Sequence, residues 1–320
     1  MPGCADKYSG YMRFREPVYQ LRAELGTLPR NAPLVAALKG YADAGSVVEL
    51  FNDNLLEHLE SQPVVWFDPD ELLDYRSRRP VAYLEADRLT EISRPSLQLS
   101  LLHDQTGAPF YLLHGFEPDF RWNAFLKDLT GLIDDLEMST VTWMHSIPMP
   151  VPHTRPASSA VSGNRPEIIE QFSVWHPTTS MPAAALHVLE YDLIEAGYDV
   201  AGFVMLTPHY LAETEYPPAA VAATERVAVA TGLALPSDDL REEAHDFTER
   251  LNEQVADNAE LQTMVANLEV RHDEYLKSLT PGALSPDQVP SADEIGAEFE
   301  SFLARQPTGD DDTDSGSTLS

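Results

Sequence analysis

Leu34-Val-Ala-Ala-Leu38-Lys-Gly40-Tyr-Ala-Asp-Ala-Gly45, continued by the stretch from Ser46 to Glu60, decides the fold class. Leu34 to Leu38 are apolar without interruption, which reads as a strand buried on both faces. Gly40 and Gly45 bound a turn. Beyond Ser46, Val47, Leu50, Phe51, Leu55 and Leu59 recur at the three- and four-residue spacing of a helix. The same alternation continues outward. Val64–Phe67, Pro109–His114, Val141–Ile147 and Val200–Leu206 read as strands, and Arg121–Leu136 and Pro182–Ala196 as helices. Residues 81–92 and 96–103, broken at Arg94-Pro95, are expected to pair as a hairpin. Strands that alternate with helices of this length predict an α/β fold. The expected form is a three-layer αβα sandwich with a mainly parallel sheet.

The charge is uneven. The chain has 320 residues and a formal net charge of −31. Residues 1–236 hold 31 acids and 16 bases, and residues 237–320 hold 21 and 5, so the nets are −15 and −16. The expected division is therefore an α/β core over 1–236, an acidic helical extension over 237–306, and a disordered acidic tail over 307–320. Such acidity argues against nucleic acid as a partner, because phosphates are repelled. No apolar run reaches the ~20 residues of a membrane span, and no secretory signal is visible, so a cytoplasmic protein without membrane contact is expected. The single cysteine, Cys4, excludes an intrachain disulfide and a cysteine-based zinc site.

The extension opens at Pro236-Ser237 with Asp238 and Asp239 in its first turn, a helix-start signal. Phe247, Leu251, Gln254, Asn258, Leu261, Val265, Leu268, His272 and Tyr275 then keep a seven-residue rhythm. Its polar members fit a long helix or a helical hairpin bent near Asn258. Ser291-Ala-Asp-Glu294 is a capping box before a short helix whose Ile295, Phe299, Phe302 and Leu303 share one face.

The sequence lacks G-x-S-x-G, Walker A, G-x-G-x-x-G and H-E-x-x-H patterns, so no nucleophile, cofactor or metal is assigned. Ligands of open α/β sheets bind beyond the carboxyl ends of strands. Tyr41, Asp43 and Gly45 are expected there, where a helix N-terminus can hold an anion. The competing reading is plain turn chemistry, with Ser46 and Glu49 as a capping box. Asp68 follows another strand. His114-Gly-Phe-Glu117-Pro-Asp119 offers an imidazole and two carboxylates, or simply a solvated Glu117 and an Asp119 that caps the next helix. The proline-stiffened loop Met144–Arg155 carries His145, His153 and Arg155, and loops on rigid scaffolds concentrate function. Trp175-His176 and His209-Tyr210 end further β-type runs. These strand ends are expected to converge on one edge and form a pocket.

Several of these segments, taken in order, resemble the PAC2 family, named for a proteasome assembly chaperone. They are Leu38-Lys-Gly-Tyr-Ala-Asp-Ala-Gly45, Trp66-Phe-Asp-Pro-Asp-Glu-Leu72 with Tyr75-Arg76, Leu113-His-Gly-Phe-Glu-Pro-Asp119 with Trp122, Thr142-Trp-Met-His145, Pro150 to Arg155, and Pro208-His-Tyr210. The likeness is to the actinobacterial branch and spans about residues 30–280. It implies a sandwich similar to purine nucleoside phosphorylases, a helical extension and homo-oligomers, a trimer being the expected size. Family members that dock on proteasomes can end in a hydrophobic-Tyr-X tail. This chain ends Ser317-Thr-Leu-Ser320, so docking by that route is not expected. The expected function is a non-enzymatic protein-binding or assembly factor with residues 237–280 as a contact arm. The alternative is an enzyme or binder of a nucleoside-like ligand at the strand ends.

Overall fold

The computed structural model describes residues 16–176 and 178–278. The helix after Ser291 and the tail after Pro307 lie outside them. The chain begins with a short strand β1 (Tyr19–Leu21) and then the apolar run, β2 (Leu34–Lys39). Helix α1 (Val47–His58), β3 (Ser61–Phe67) and the single turn α2 (Pro69–Leu72) follow. Next come β4 (Val81–Glu85), β5 (Arg88–Ser93), β6 (Leu97–His103), β7 (Pro109–Phe116) and α3 (Trp122–Asp135). Strands β8 (Val141–Met149) and β9 (Ser158–Gly163) precede α4 (Pro166–Phe172) and α5 (Ala185–Glu195). The order closes with β10 (Val200–Pro208), α6 (Pro217–Thr231), α7 (Asp238–Ala256) and α8 (Ala259–Ser278).

Eight strands form one sheet in the order β1-β3-β6-β7-β2-β8-β10-β9. The centre, β7-β2-β8-β10, is parallel. Both flanks are antiparallel, so β2, β3, β7, β8 and β10 run one way and β1, β6 and β9 the other. The sheet is thus mostly parallel, as the alternation of strands and helices predicts.

Side chains alternate across it. Leu34, Ala36, Leu38, Tyr111, Leu113, Val141 and Trp143 meet α3 and α5, through Phe125, Leu129, Leu186 and Leu189 among others. Val35, Ala37, Leu112, Met144, Phe203 and Met205 meet α1 and α6, through Phe51, Leu55, Ala219 and Val227. Each fully buried Leu or Phe side chain contributes roughly 1.5–3 kcal/mol, so the two apolar layers dominate the stability. Gly202 sits opposite Trp143 in the β8–β10 register, and a Cβ there would lie 2.2 Å from the indole. A glycine at this position is what lets the large ring lie flat on the sheet.

Two local expectations are corrected. The hairpin lies within residues 81–93, between β4 and β5, and forms a separate two-stranded sheet. Residues 97–103 instead enter the main sheet between β3 and β7. The turn is Ala86-Asp87, with Ala86 at φ 56°, an uncommon conformation for alanine and hence a weak turn signal. Trp175 and His176 do not end a strand. They follow α4 in an irregular stretch that meets β9 through a bridge between Ser159 and Ser173 and through the Ser173 hydroxyl, which accepts the Val161 amide.

The extension is a helical hairpin. α7 stops at Ala256, and the Asn258 side chain accepts from the Glu260 and Leu261 amides, capping α8. Leu240 and Leu251 of α7 are buried in the α1/α6 layer, and Phe247 meets the Tyr216 ring at 5.8 Å. The hairpin therefore packs on its own core. None of the described helices is long and apolar enough to cross a membrane.

Candidate functional site

The turn after β2 is occupied by its own chain. The Asp43 carboxylate accepts the Val48 amide at 2.7 Å and the Glu49 amide at 3.1 Å, so it caps α1. Ser46, at φ 50°, makes no cap bond, which corrects the expected Ser46–Glu49 capping box. Burial pushes the Asp43 carboxyl up, against the pull of these two amides. Gly45, at φ 74°, donates to the Ala212 carbonyl and accepts from the Tyr216 amide. A Cβ on it would lie 2.8 Å from Tyr216 and 3.0 Å from Thr207. The Ser146 hydroxyl donates to the Ala44 carbonyl at 2.7 Å, and the Thr207 hydroxyl lies 2.8 Å from Ser146 and 3.2 Å from the same carbonyl. The amides at this helix end thus already have an anionic partner, and the turn is sealed by close backbone packing.

The other candidates fall into separate places. His114 registers with Ala37, and Ala37 with Met144, so His114 faces the α1/α6 layer while His145 faces the α3/α5 layer. His114 is held by the Ser100 hydroxyl at 3.1 Å, and burial pushes its pKa down to about 4. Asp68 caps α2 through the Asp70 amide. Asp119 does not cap α3. It accepts from the Asp74 amide and pairs with Arg78.

Tyr41, Glu117 and His145 do come together, joined by Trp143 of β8 and by His187 and Glu190 of α5. Ring centroids lie 5.5 Å apart for Tyr41–His145, 5.2 Å for Trp143–His145 and 5.6 Å for His145–His187. Tyr41 donates to the Pro182 carbonyl at 3.0 Å, and Glu117 accepts the Ala185 amide. The exposed stretch 178–183 is thereby anchored over the ends of β2 and β8. Glu190 accepts from the Trp143 indole at 2.7 Å and from the Ser162 hydroxyl at 2.9 Å. His187 Nδ1 accepts the Ala184 amide, which leaves the proton on Nε2. His145 is 1% exposed, and neither ring nitrogen has a hydrogen-bond partner. Burial, reinforced by His187, pushes its pKa down to about 3. Burial also lowers His187 and raises Glu117 and Glu190. All four groups are driven toward neutrality, as buried ionisable groups are. His187 and Glu190 were not singled out from sequence. Their signal was their place one residue beyond Leu186 and Leu189 on the sheet-facing side of α5.

The remaining candidates meet the helical hairpin. The Tyr210 hydroxyl bonds the amide and Nδ1 of His153, whose Nε2 lies 3.2 Å from Asn252 of α7. His209, beside them, packs its ring against Tyr210. Arg155 binds Asp273 through two bonds of 2.9 and 2.8 Å and Glu269 at 3.0 Å, and Thr154 donates to Glu269. These two carboxylates hold the guanidinium protonated, raising its pKa. Residues 153–155 thus clasp α7 and α8. Below the clasp lies a cleft of about 350 Å³, lined by Tyr210, Leu211, Phe247, Leu251, Val255 and Met264 among others. Among the described residues no group of three His, Cys, Asp or Glu side chains is arranged to hold a metal.

The fold recurs in known structures. A Mycobacterium tuberculosis protein of unknown function is 37% identical, with 83% of this chain and 94% of that one covered and a TM-score of 0.78. A Corynebacterium glutamicum protein of unknown function is 32% identical, covering 82% and 99% with a TM-score of 0.77. A Mycobacterium tuberculosis proteasome-assembly chaperone homologue is 26% identical, covering 72% and 99% with a TM-score of 0.65. No curated protein matches the chain. The PAC2 family model matches residues 37–255, from the middle of β2 to the last turn of α7. That match takes in most of the chain, and the similar structures are actinobacterial proteins: the chain belongs to the PAC2 family, in its actinobacterial branch.

Proposed function

We propose that this protein is a cytoplasmic, non-enzymatic binding factor of the assembly or chaperone-like kind, working as a homo-oligomer. The observation that carries the reading is the β4–β5 hairpin. Every residue of both strands is exposed. Val81, Tyr83, Leu84, Leu89 and Ile92 leave between 45% and 65% of their surface bare. A two-stranded hairpin is marginal by itself in water, and a clustered apolar surface of this kind marks a contact.

Charge points to a second copy as the occupant. Residues 76–94 hold five bases and three acids, a net of +2 in a chain of −31. Residues 237–278 hold twelve acids and four bases, a net of −8. The hairpin of one copy and the acidic arm of the next are complementary, and such a head-to-tail contact closes into a ring when the rotation allows. A trimer is the size proposed. Likeness to a proteasome-assembly chaperone homologue agrees with a protein-contact role. The test is light scattering of the wild type and of Leu84→Asp/Leu89→Asp. The wild type is expected at a multiple of the monomer mass and the variant at the monomer mass, with the sheet still folded by circular dichroism because both side chains are more than half exposed within the chain. A wild type that stays monomeric at tens of micromolar overturns the reading.

One observation favours a second reading, a small heteroaromatic ligand of the nucleoside kind. His145, with two unpartnered nitrogens, stands among the aromatic faces of Tyr41, Trp143 and His187 beneath the 178–183 stretch. A nucleoside at ~100-fold excess over its dissociation constant should add roughly 2.7 kcal/mol of stability. Melting curves unmoved across that class would dismiss it.

A further inference from the structure

We infer that the cleft beneath the α7–α8 hairpin is a docking groove for the chain's own segment 291–304. Most of the side chains that line the cleft are apolar. Leu211, Leu251 and Val265 are buried there, and Phe247, Val255, Leu261 and Met264 are half-buried. Its polar lining residues are Tyr210, Thr214, Arg250 and Gln254. Arg250 is exposed and has no ion pair or hydrogen bond among the described residues. An apolar trough with a free cation at its rim fits an amphipathic helix with acidic flanks.

The segment has that character. Ile295, Phe299, Phe302 and Leu303 fall at i, i+4, i+7 and i+8, the stripe of a helix with one apolar face. Ser291-Ala-Asp-Glu294 supplies its start, and Glu298 and Glu300 flank the stripe. Four large apolar side chains suit a trough lined mainly by leucine, valine, methionine and aromatic residues.

The reach also matches. Fourteen residues separate Met264 from Ser278 along α8, and at 1.5 Å per residue the helix end stands about 21 Å from the cleft. Twelve residues, 279–290, lie between the helix end and the segment, and at ~3.3 Å per residue when extended a chain of that length can bridge the distance. A tether long enough to span it makes docking intramolecular, so modest contacts suffice for occupancy. A second copy would have to overcome that advantage.

The test uses the full chain with paired cysteines, Cys4 being replaced by serine. Under mild oxidation Met264→Cys with Phe299→Cys is expected to give an intramolecular disulfide several-fold faster than Met264→Cys with Thr308→Cys. In parallel, Phe299→Asp/Phe302→Asp is expected to speed amide exchange over residues 250–264 by about tenfold, with the sheet unchanged. Equal cross-linking of the two pairs, or exchange unaltered by the double substitution, overturns the proposal. A disulfide found only between two copies overturns it too, by making the second copy the occupant. None of these readouts depends on the hairpin contact proposed above.

Discussion

Asp43→Ala removes the acceptor for the Val48 and Glu49 amides and is expected to cost about 0.5–2 kcal/mol, whereas Ser46→Ala should stay within about 0.5 kcal/mol. Chemical unfolding of the two variants checks this, and the ordering would reverse if Ser46 were the cap. A capping box matches Ser46–Glu49 as a pattern, but the left-handed backbone at Ser46 turns its hydroxyl away and brings Asp43 into place. A one-residue question of this kind is decided by φ, which the sequence does not display. The histidines teach the same lesson about parity. Strand ends near His114 and His145 were legible, yet one step of register puts the two rings on opposite faces. Their burial also has a pH consequence. An imidazole held below its unfolded pKa stays neutral in the folded chain while the unfolded chain takes up a proton. Stability from His145 is therefore complete above about pH 6.5 and is lost as pH falls toward about 3. The buried carboxylates Asp43, Glu117 and Glu190, whose pKa values are raised, work in the opposite sense. The informative quantity is thus a difference. His145→Phe should lose less stability than the wild type between pH 6.5 and 4.5, and parallel slopes in thermal melts would show that the ring does not titrate on unfolding.

Among the elements, those with strong periodicity were the readable ones. β2, β7, β8, β10, α1 and α3 fall where runs of apolar residues or three- and four-residue spacing put them. The β4–β5 hairpin was misplaced because Arg94-Pro95 advertises a turn and Ala86-Asp87 does not. The arm's bend at Asn258 was legible from its polar seam position, and the capping bonds of that side chain explain it. What fastens the arm was not legible, since Arg155 and Asp273 are 118 residues apart. The three charged side chains of this clasp are about one third exposed and tie the arm to one loop, so the effect is expected on the element more than on the whole fold. Arg155→Ala is expected to raise amide exchange along α8 while the central strands keep their protection. If exchange rises equally in β2 and β8, the arm and the core unfold as one unit, and the clasp has global weight.

At the scale of the whole molecule, a predominantly parallel sheet, two apolar layers and an acidic helical addition were all contained in the order and spacing of residues. How the addition sits on the core was not, because it depends on contacts among α6, the 153–155 loop and the two helices that meet only after folding. Those contacts bear on how the protein is made. Synthesis runs from the N-terminus at roughly 5–20 residues per second, and domains fold in that order. Every strand of the sheet has therefore been made before the first residue of α7. The roughly forty residues of the arm then take a further 2–8 s or so to appear at those rates. During that interval Leu211, Tyr216 and the outer alanines of α6 have no cover. The newborn core is stickier than the finished one, and the acidic helices arrive as the last piece of its surface.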